Sequence, residues 1–238
     1  MNNLLCAVLL CSISTASYAD ISSNVSVTSD YVFRGVGASG DSSAVQGGID
    51  YSNGGFGFGL WSSSLGGTTE SLDNGTTVST PTGSELDIFA SYTYSFNDYY
   101  SLGFTALSYA YSKSPNFDSL EYIISFTVPY MDFTIAHIPG DSFGEETTTT
   151  YFGVATSLEI DEESGLALNM SVGSTTYGET EVTKTNNLAY TDYKIGLVRS
   201  IEHFDFELWF TDTDRKANTS EEAEFDDATS GVTLIHYF

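Results

Sequence analysis

Cysteine is almost missing from this chain. The two present, Cys6 and Cys11, both sit in an apolar stretch at the N-terminus. A chain without that stretch would hold none, which would exclude the disulfides that brace many small exported domains. Basic residues are also scarce: 7 Lys and Arg stand against 32 Asp and Glu, for a formal net charge of -25. A chain this acidic repels phosphate backbones, which excludes nucleic acid as a partner. No apolar run, the N-terminal stretch included, is long enough to cross a bilayer as a helix, and helical periodicity is absent outside that stretch. There is no phosphate-cradling glycine loop, metal-ligand cluster or redox motif. "GxSxG" does not occur, and no acidic segment has the glycine-turned spacing of a calcium loop. No cofactor, metal or catalytic residue is therefore expected.

The N-terminal stretch, "LLCAVLLCSISTA", is followed by "SYA" ahead of Asp20, a small-x-small cleavage pattern. It predicts a signal peptide over residues 1–19 and a mature domain over residues 20–238. Two features depart from the usual leader. "MNN" supplies no Lys or Arg, and Leu10 stands where a lipid-anchor signal at Cys11 would want a small residue.

The mature region alternates apolar and polar residues with a period of two, interrupted by turn signals. In "ELDIFASYTYSF", Leu86, Ile88, Ala90, Tyr92, Tyr94 and Phe96 share one row, while Glu85, Asp87, Phe89, Ser91, Thr93 and Ser95 share the other. About twelve such segments can be counted, each roughly ten residues long, as a membrane barrel needs. The first runs from Ser23 to Gly35. The fifth, "YYSLGFTALSYAY", is ambiguous, with apolar residues in both rows. The connections sort by length. Long polar ones such as "GGTTESLDNGTTVSTPTGS", "TYGETEVTKTNN" and "DTDRKANTSEEAEFDD" alternate with tight ones such as "SNGG", "FNDY" and "VPYM"; "KSPN" is short where a long one would fit.

Alternation by itself suits a soluble antiparallel sheet equally well. The export leader, the loop sorting and the closing strand favour a different fold: an all-β, transmembrane, up-and-down antiparallel barrel of about twelve strands. Its oily rows would face lipid and its polar rows the lumen, with every backbone group paired strand to strand. Phe96, Tyr99, Tyr100 and Tyr130, beside the tight turns, suit an interfacial girdle and ordinary strand-end packing equally. The C-terminal alternation of Val232, Leu234, His236 and Phe238 suits the signal read by the barrel-assembly machinery, with His236 departing from the expected aromatic or apolar residue.

"TSDYVFRGV", "AVQGGIDY", "ELDIFASYTY", "YTDYKIGL" and the late "DTD" occur in the order found in the TorF-type porin family of bacterial outer-membrane proteins, which the mature chain resembles over nearly its whole length. The resemblance implies an outer-membrane barrel of a Gram-negative bacterium with a porin role, and implies neither a substrate nor a catalytic residue.

Alternation places Asp30, Asp50, Glu85, Asp87, Glu121, Asp132, Glu159, Asp192, Asp205 and Glu207 on the inward row, opposed by Arg34 and Lys194. As pore-lining groups they would concentrate cations. Alternatively they would fill the lumen as a hydrogen-bonded, ion-paired plug, with Arg34 and Lys194 held by neighbours such as Asp30 and Asp192. The expected function is passage of ions or small polar solutes, with a non-conducting structural or surface-contact barrel as the alternative and a barrel hydrolase as a lesser one. The expected surroundings are outer-membrane lipid and lipopolysaccharide.

Overall fold

A computed structural model describes residues 19–66, 69–71, 77–79, 81–140, 142–143, 147–179, 189–214 and 228–238. The expected signal peptide, save Ala19, lies outside the described residues. So do both cysteines and large parts of the loops "GGTTESLDNGTTVSTPTGS", "TYGETEVTKTNN" and "DTDRKANTSEEAEFDD".

The wall is built of β1 (Asp20–Thr28), β4 (Ala44–Asn53), β5 (Phe56–Leu65), β8 (Gly83–Ser95), β9 (Ser101–Tyr111) and β10 (Ser119–Val128). It continues through β11 (Met131–Ile138), β12 (Thr149–Asp161), β13 (Leu166–Tyr177), β14 (Tyr190–Ile201), β15 (Phe204–Thr213) and β16 (Thr229–Tyr237). Each pairs antiparallel with its neighbours in chain order, and β1 closes the ring on β16. Two short ribbons are not part of the ring's ladder: β2 (Val32–Phe33) with β3 (Val36–Gly37), and β6 (Thr69–Ser71) with β7 (Thr77–Ser79). The closing seam pairs Asn24–Thr28 with Thr233–Tyr237. At one end Ser29 exchanges hydrogen bonds with Val232, and at the other the Phe238 N–H donates to the Ser23 carbonyl. Closure leaves no ladder edge, which is how a β structure satisfies its backbone in hydrocarbon.

The tight turns lie at the same end of the barrel as Asp20 and Phe238. At the β4–β5 turn, Gly54 and Gly55 take φ of 57° and 93°, a left-handed pair suited to a short hairpin. At the opposite end "KSPN" forms a 3-10 turn over Pro115–Phe117, and the Tyr111 N–H donates to Asp118 Oδ1 at 2.8 Å.

The alternation is turned inside out. On β8, Leu86, Ile88, Tyr92 and Tyr94 face outward and exposed, whereas Glu85, Asp87 and Phe89 are buried within. Phe58 and Leu60 on β5, Tyr122 and Ile124 on β10, and Phe206, Leu208 and Phe210 on β15 continue the outer apolar wall. Phe96, Tyr99, Tyr100 and Tyr130 are exposed at the tight-turn end, and the Tyr94 and Phe96 rings meet edge-on at 5.0 Å. This is the transmembrane up-and-down barrel that the pattern predicts.

Two departures share one cause. The first strand stops at Thr28, not Gly35. The chain bends at Ser29 and Asp30, helped by the Thr28 hydroxyl donating to the Asp30 carbonyl at 2.7 Å, and then forms the β2–β3 hairpin. Val32 pairs with Gly37 and Phe33 with Val36. Arg34 and Gly35 form its two-residue tip with φ of 50° and 79°. The period-two pattern carries through the bend because the hairpin arm is itself extended. This hairpin folds into the lumen, and it explains the ambiguous strand. On β9 the inward residues Leu107, Tyr109 and Tyr111 are buried beside Tyr31 in a hydrophobic cluster that also contains Phe89 and Leu65. Both faces of β9 are apolar because one meets hydrocarbon and the other meets the hairpin.

Candidate functional site

The hairpin spans the bore at the long-loop end. Tyr31 at its root lies edge-on to Trp61 of β5, ring centroids 5.6 Å apart. Phe33 meets Tyr109 of β9 at 6.1 Å, and Gly35 lies against Asp192 of β14 and Thr213 of β15. The root is locked locally: the Ser39 hydroxyl donates to Asp30 Oδ1, and the Tyr31 N–H donates to the Ser39 oxygen at 2.8 Å.

At the tip, Arg34 donates from Nη1 to Glu121 Oε1 at 2.8 Å and from Nη2 to Oε2 at 3.1 Å. This two-point fork gives the planar guanidinium a fixed orientation that a lysine could not reproduce. The guanidinium carbon sits 4.1 Å from the Tyr151 ring centroid and 4.7 Å from that of Phe33, within cation–π range. The Tyr109 hydroxyl donates to Glu121 Oε2 at 2.8 Å. Phe143 closes the group, 5.2 Å from Tyr109 and 6.1 Å from Phe33.

Glu85 and Asp87 of β8, Glu121 of β10 and Asp192 of β14, predicted on three strands, are brought to this end of the lumen, all buried. Glu85 accepts from the Tyr111 hydroxyl at 3.0 Å. Asp87 Oδ1 and Asp192 Oδ2 are buried without a hydrogen-bond partner among the described residues. Arg34 therefore pairs with Glu121, not with Asp30 or Asp192, because the hairpin carries it across the bore.

Lys194, Asp205 and Glu207 form a second group nearer the tight turns. Lys194 Nζ lies 3.2 Å from Glu207 Oε2, again a partner other than Asp192, and 5.3 Å from the Trp209 ring centroid. The indole N–H of Trp209 donates to Thr233 Oγ1 at 3.1 Å. Asp50 and Asp132 stand apart on the inner wall, half-buried, with the Thr127 hydroxyl donating to Asp132 at 2.7 Å. Glu159 is exposed at the tight-turn end, where the β12–β13 register is irregular between Glu159 and Asp161. Here the inner row of β8, with Ser91, Thr93 and Ser95, is polar and half-exposed, so the wall is wet at this end and packed at the other.

Alternation does not single out the lumenal aromatics Phe33, Tyr109, Phe143 and Tyr151. The one signal for them was the doubly apolar β9. Val232, Leu234 and Phe238 are exposed on the outer face. His236 stands among rings: stacked on Phe238 at 4.5 Å, edge-on to Phe204 at 4.4 Å, and parallel to His203 at 6.4 Å. His137, at the opposite end, is bonded to Thr150 Oγ1 at 2.9 Å. No three His, Cys, Asp or Glu among the described residues are arranged to hold a metal ion.

A closed barrel with an oily exterior and a charged interior belongs with the outer-membrane porins in architecture. The KdgM porin superposes with a TM-score of 0.55 at 10% identity, covering 91% of this chain and 99% of that one. The NanC porin gives 0.55 at 9% identity, covering 92% and 100%. A KdgM porin in complex with disordered oligogalacturonate gives 0.51 at 8% identity, covering 93% and 99%. At such identities the likeness is one of fold. By sequence, the chain belongs to the family described as "Bacterial protein of unknown function (Gcw_chp)", whose model matches residues 13–237. No curated protein matches it in sequence.

Proposed function

We propose that the protein is a Gram-negative outer-membrane channel of the TorF-type porin kind, exported by a cleaved signal peptide and passing ions or small polar solutes with a preference for cations. The C-terminal row ending in Phe238 presents it to the assembly machinery, and its loops stand among lipopolysaccharide. The observation that carries the reading is the charge of the inner wall. Asp50, Glu85, Asp87, Asp132, Asp192 and Asp205 have no salt-bridge partner among the described residues, while Arg34 and Lys194 are each held by a glutamate. Such a wall attracts cations and repels anions.

One observation favours a second reading, a structural barrel that passes nothing: the hairpin crosses the bore and buries the inner residues around it. Planar-bilayer recording of the refolded mature protein separates the two. Discrete steps whose reversal potential in a salt gradient favours cations support the channel. That preference should weaken when Glu85, Asp87, Asp205 and Glu207 are neutralised to their amides. A correctly folded barrel that stays silent removes the channel reading, and an anion preference removes the selectivity.

A further inference from the structure

The surroundings of Arg34 have the features expected of a ligand site. A carboxylate, Glu121, presents both oxygens to a planar fork, at 2.8 and 3.1 Å. Tyr109 fixes that carboxylate by donating to it, so the acceptor stays oriented whoever occupies it. Tyr151 and Phe33 offer ring faces to the cation, and Tyr151 belongs to the wall, not to the hairpin. The occupant, by contrast, is supplied by a loop. Its tip is two residues, Arg34 and Gly35, on a ribbon of two ladder pairs.

The carboxyl groups around the site also outnumber its one arginine. Asp192 touches the hairpin through Gly35 and lies within electrostatic reach of Arg34. Asp87 lies within the same reach of Glu121. Both are 5% exposed, and each keeps an oxygen without a partner among the described residues. An oxygen held in this way calls for a donor, which water or a solute with several N–H groups supplies.

Resting on the cation-channel reading, we propose that the Glu121–Tyr109–Tyr151 pocket is a binding site for guanidinium-bearing organic cations, with Arg34 as its tethered occupant. Hairpin insertion and solute binding then compete for one carboxylate. A solute carrying a flat guanidinium displaces the tip, whereas a compact ammonium lacks the fork to match Glu121 and the plane to lie on Tyr151.

The test is calorimetric titration of methylguanidinium chloride, against methylammonium chloride at equal concentration, into the detergent-folded mature Arg34→Ala protein. Folding is checked by its gel mobility before and after heating. Saturable one-site binding of methylguanidinium is expected, about tenfold or more tighter than methylammonium. It should be abolished by adding Glu121→Gln, and wild type should bind about tenfold or more weakly because Arg34 holds the site. If Arg34→Ala does not refold, Arg34→Gln is titrated in the same way. Equal binding of the two cations, no binding, binding that survives Glu121→Gln, or equal binding by wild type overturns the proposal. Binding without any bilayer current keeps the site and removes the channel, whereas current without binding removes the site alone.

Discussion

Gly35 lies flat against Asp192: a Cβ at position 35 would stand 2.8 Å from the Asp192 Cβ and 3.0 Å from the Thr213 Cβ. The backbone there has a φ of 79°, a conformation that costs an L-residue ~1–2 kcal/mol. Gly35→Ala joins this strain to a collision with two strands of the wall, and the tip has to leave the lumen. In wild type Arg34 is enclosed by Glu121, Tyr151 and Phe33 and its peptide bond is withheld from protease. In folded Gly35→Ala protein, limited trypsin digestion is expected to cut after Arg34, with fragment masses identifying the site, while wild type stays intact there.

The Arg34–Glu121 pair should behave as a buried ion pair, since its side chains are 12% and 1% exposed. Removing one member strands the other charge, at a cost of ~3–5 kcal/mol. Removing both leaves apolar stems among aromatic rings. Glu121→Gln is therefore expected to lower the unfolding free energy more than the double change Arg34→Leu with Glu121→Leu. Urea unfolding from lipid vesicles measures both. A double change more costly than Glu121→Gln alone would show that the two residues do not act as a pair.

The wall was legible because one rule, alternation with a period of two, governs it wherever one face meets oil and the other meets polar groups. Leu86 to Phe96 and Phe204 to Phe210 keep the outer row apolar throughout, with Phe89 and Trp209 the aromatic exceptions on the inner row. The rule stops working where the lumen is itself apolar. On β9 Tyr109 and Tyr111 pack against the hairpin, so neither row looks polar. From Ser23 to Gly35 the alternation continues past the real end of β1, because the hairpin arm is extended too. The turn signal lay in Arg34–Gly35, a glycine after a residue forced to positive φ, but it resembled an ordinary strand end. Membership of the inner row follows from alternation. The partners of Arg34 and Lys194 do not, because they depend on which strands a folded-in loop reaches.

The outer face makes a prediction that depends on depth. Ile88 is 51% exposed near the middle of β8, and a lysine at a lipid-facing midplane position costs ~2–4 kcal/mol. Thr93 lies on the same strand but on the inner row, half-exposed at the wet end, where a lysine keeps its water. Ile88→Lys is expected to reduce the folded yield in lipid vesicles sharply, judged by gel mobility, with Thr93→Lys close to wild type. The reverse order would turn the barrel's faces around.

His236 occupies an outward position that would suit a purely apolar ring. Its neighbours Phe204 and Phe238 contact it at 4.4 and 4.5 Å, and its Nδ1 is buried with no hydrogen-bond partner among the described residues. A buried polar atom without a partner costs ~1–3 kcal/mol, whereas the ring contacts themselves do not need the nitrogen. Phenylalanine keeps the plane and the stacking and removes the polar atom. His236→Phe is thus expected to raise the unfolding free energy by about 1 kcal/mol and to assemble at least as well as wild type. Unfolding midpoints in detergent and insertion yield into vesicles read the two effects separately. A lower midpoint would mean that the imidazole contributes a bond which a phenyl ring cannot replace.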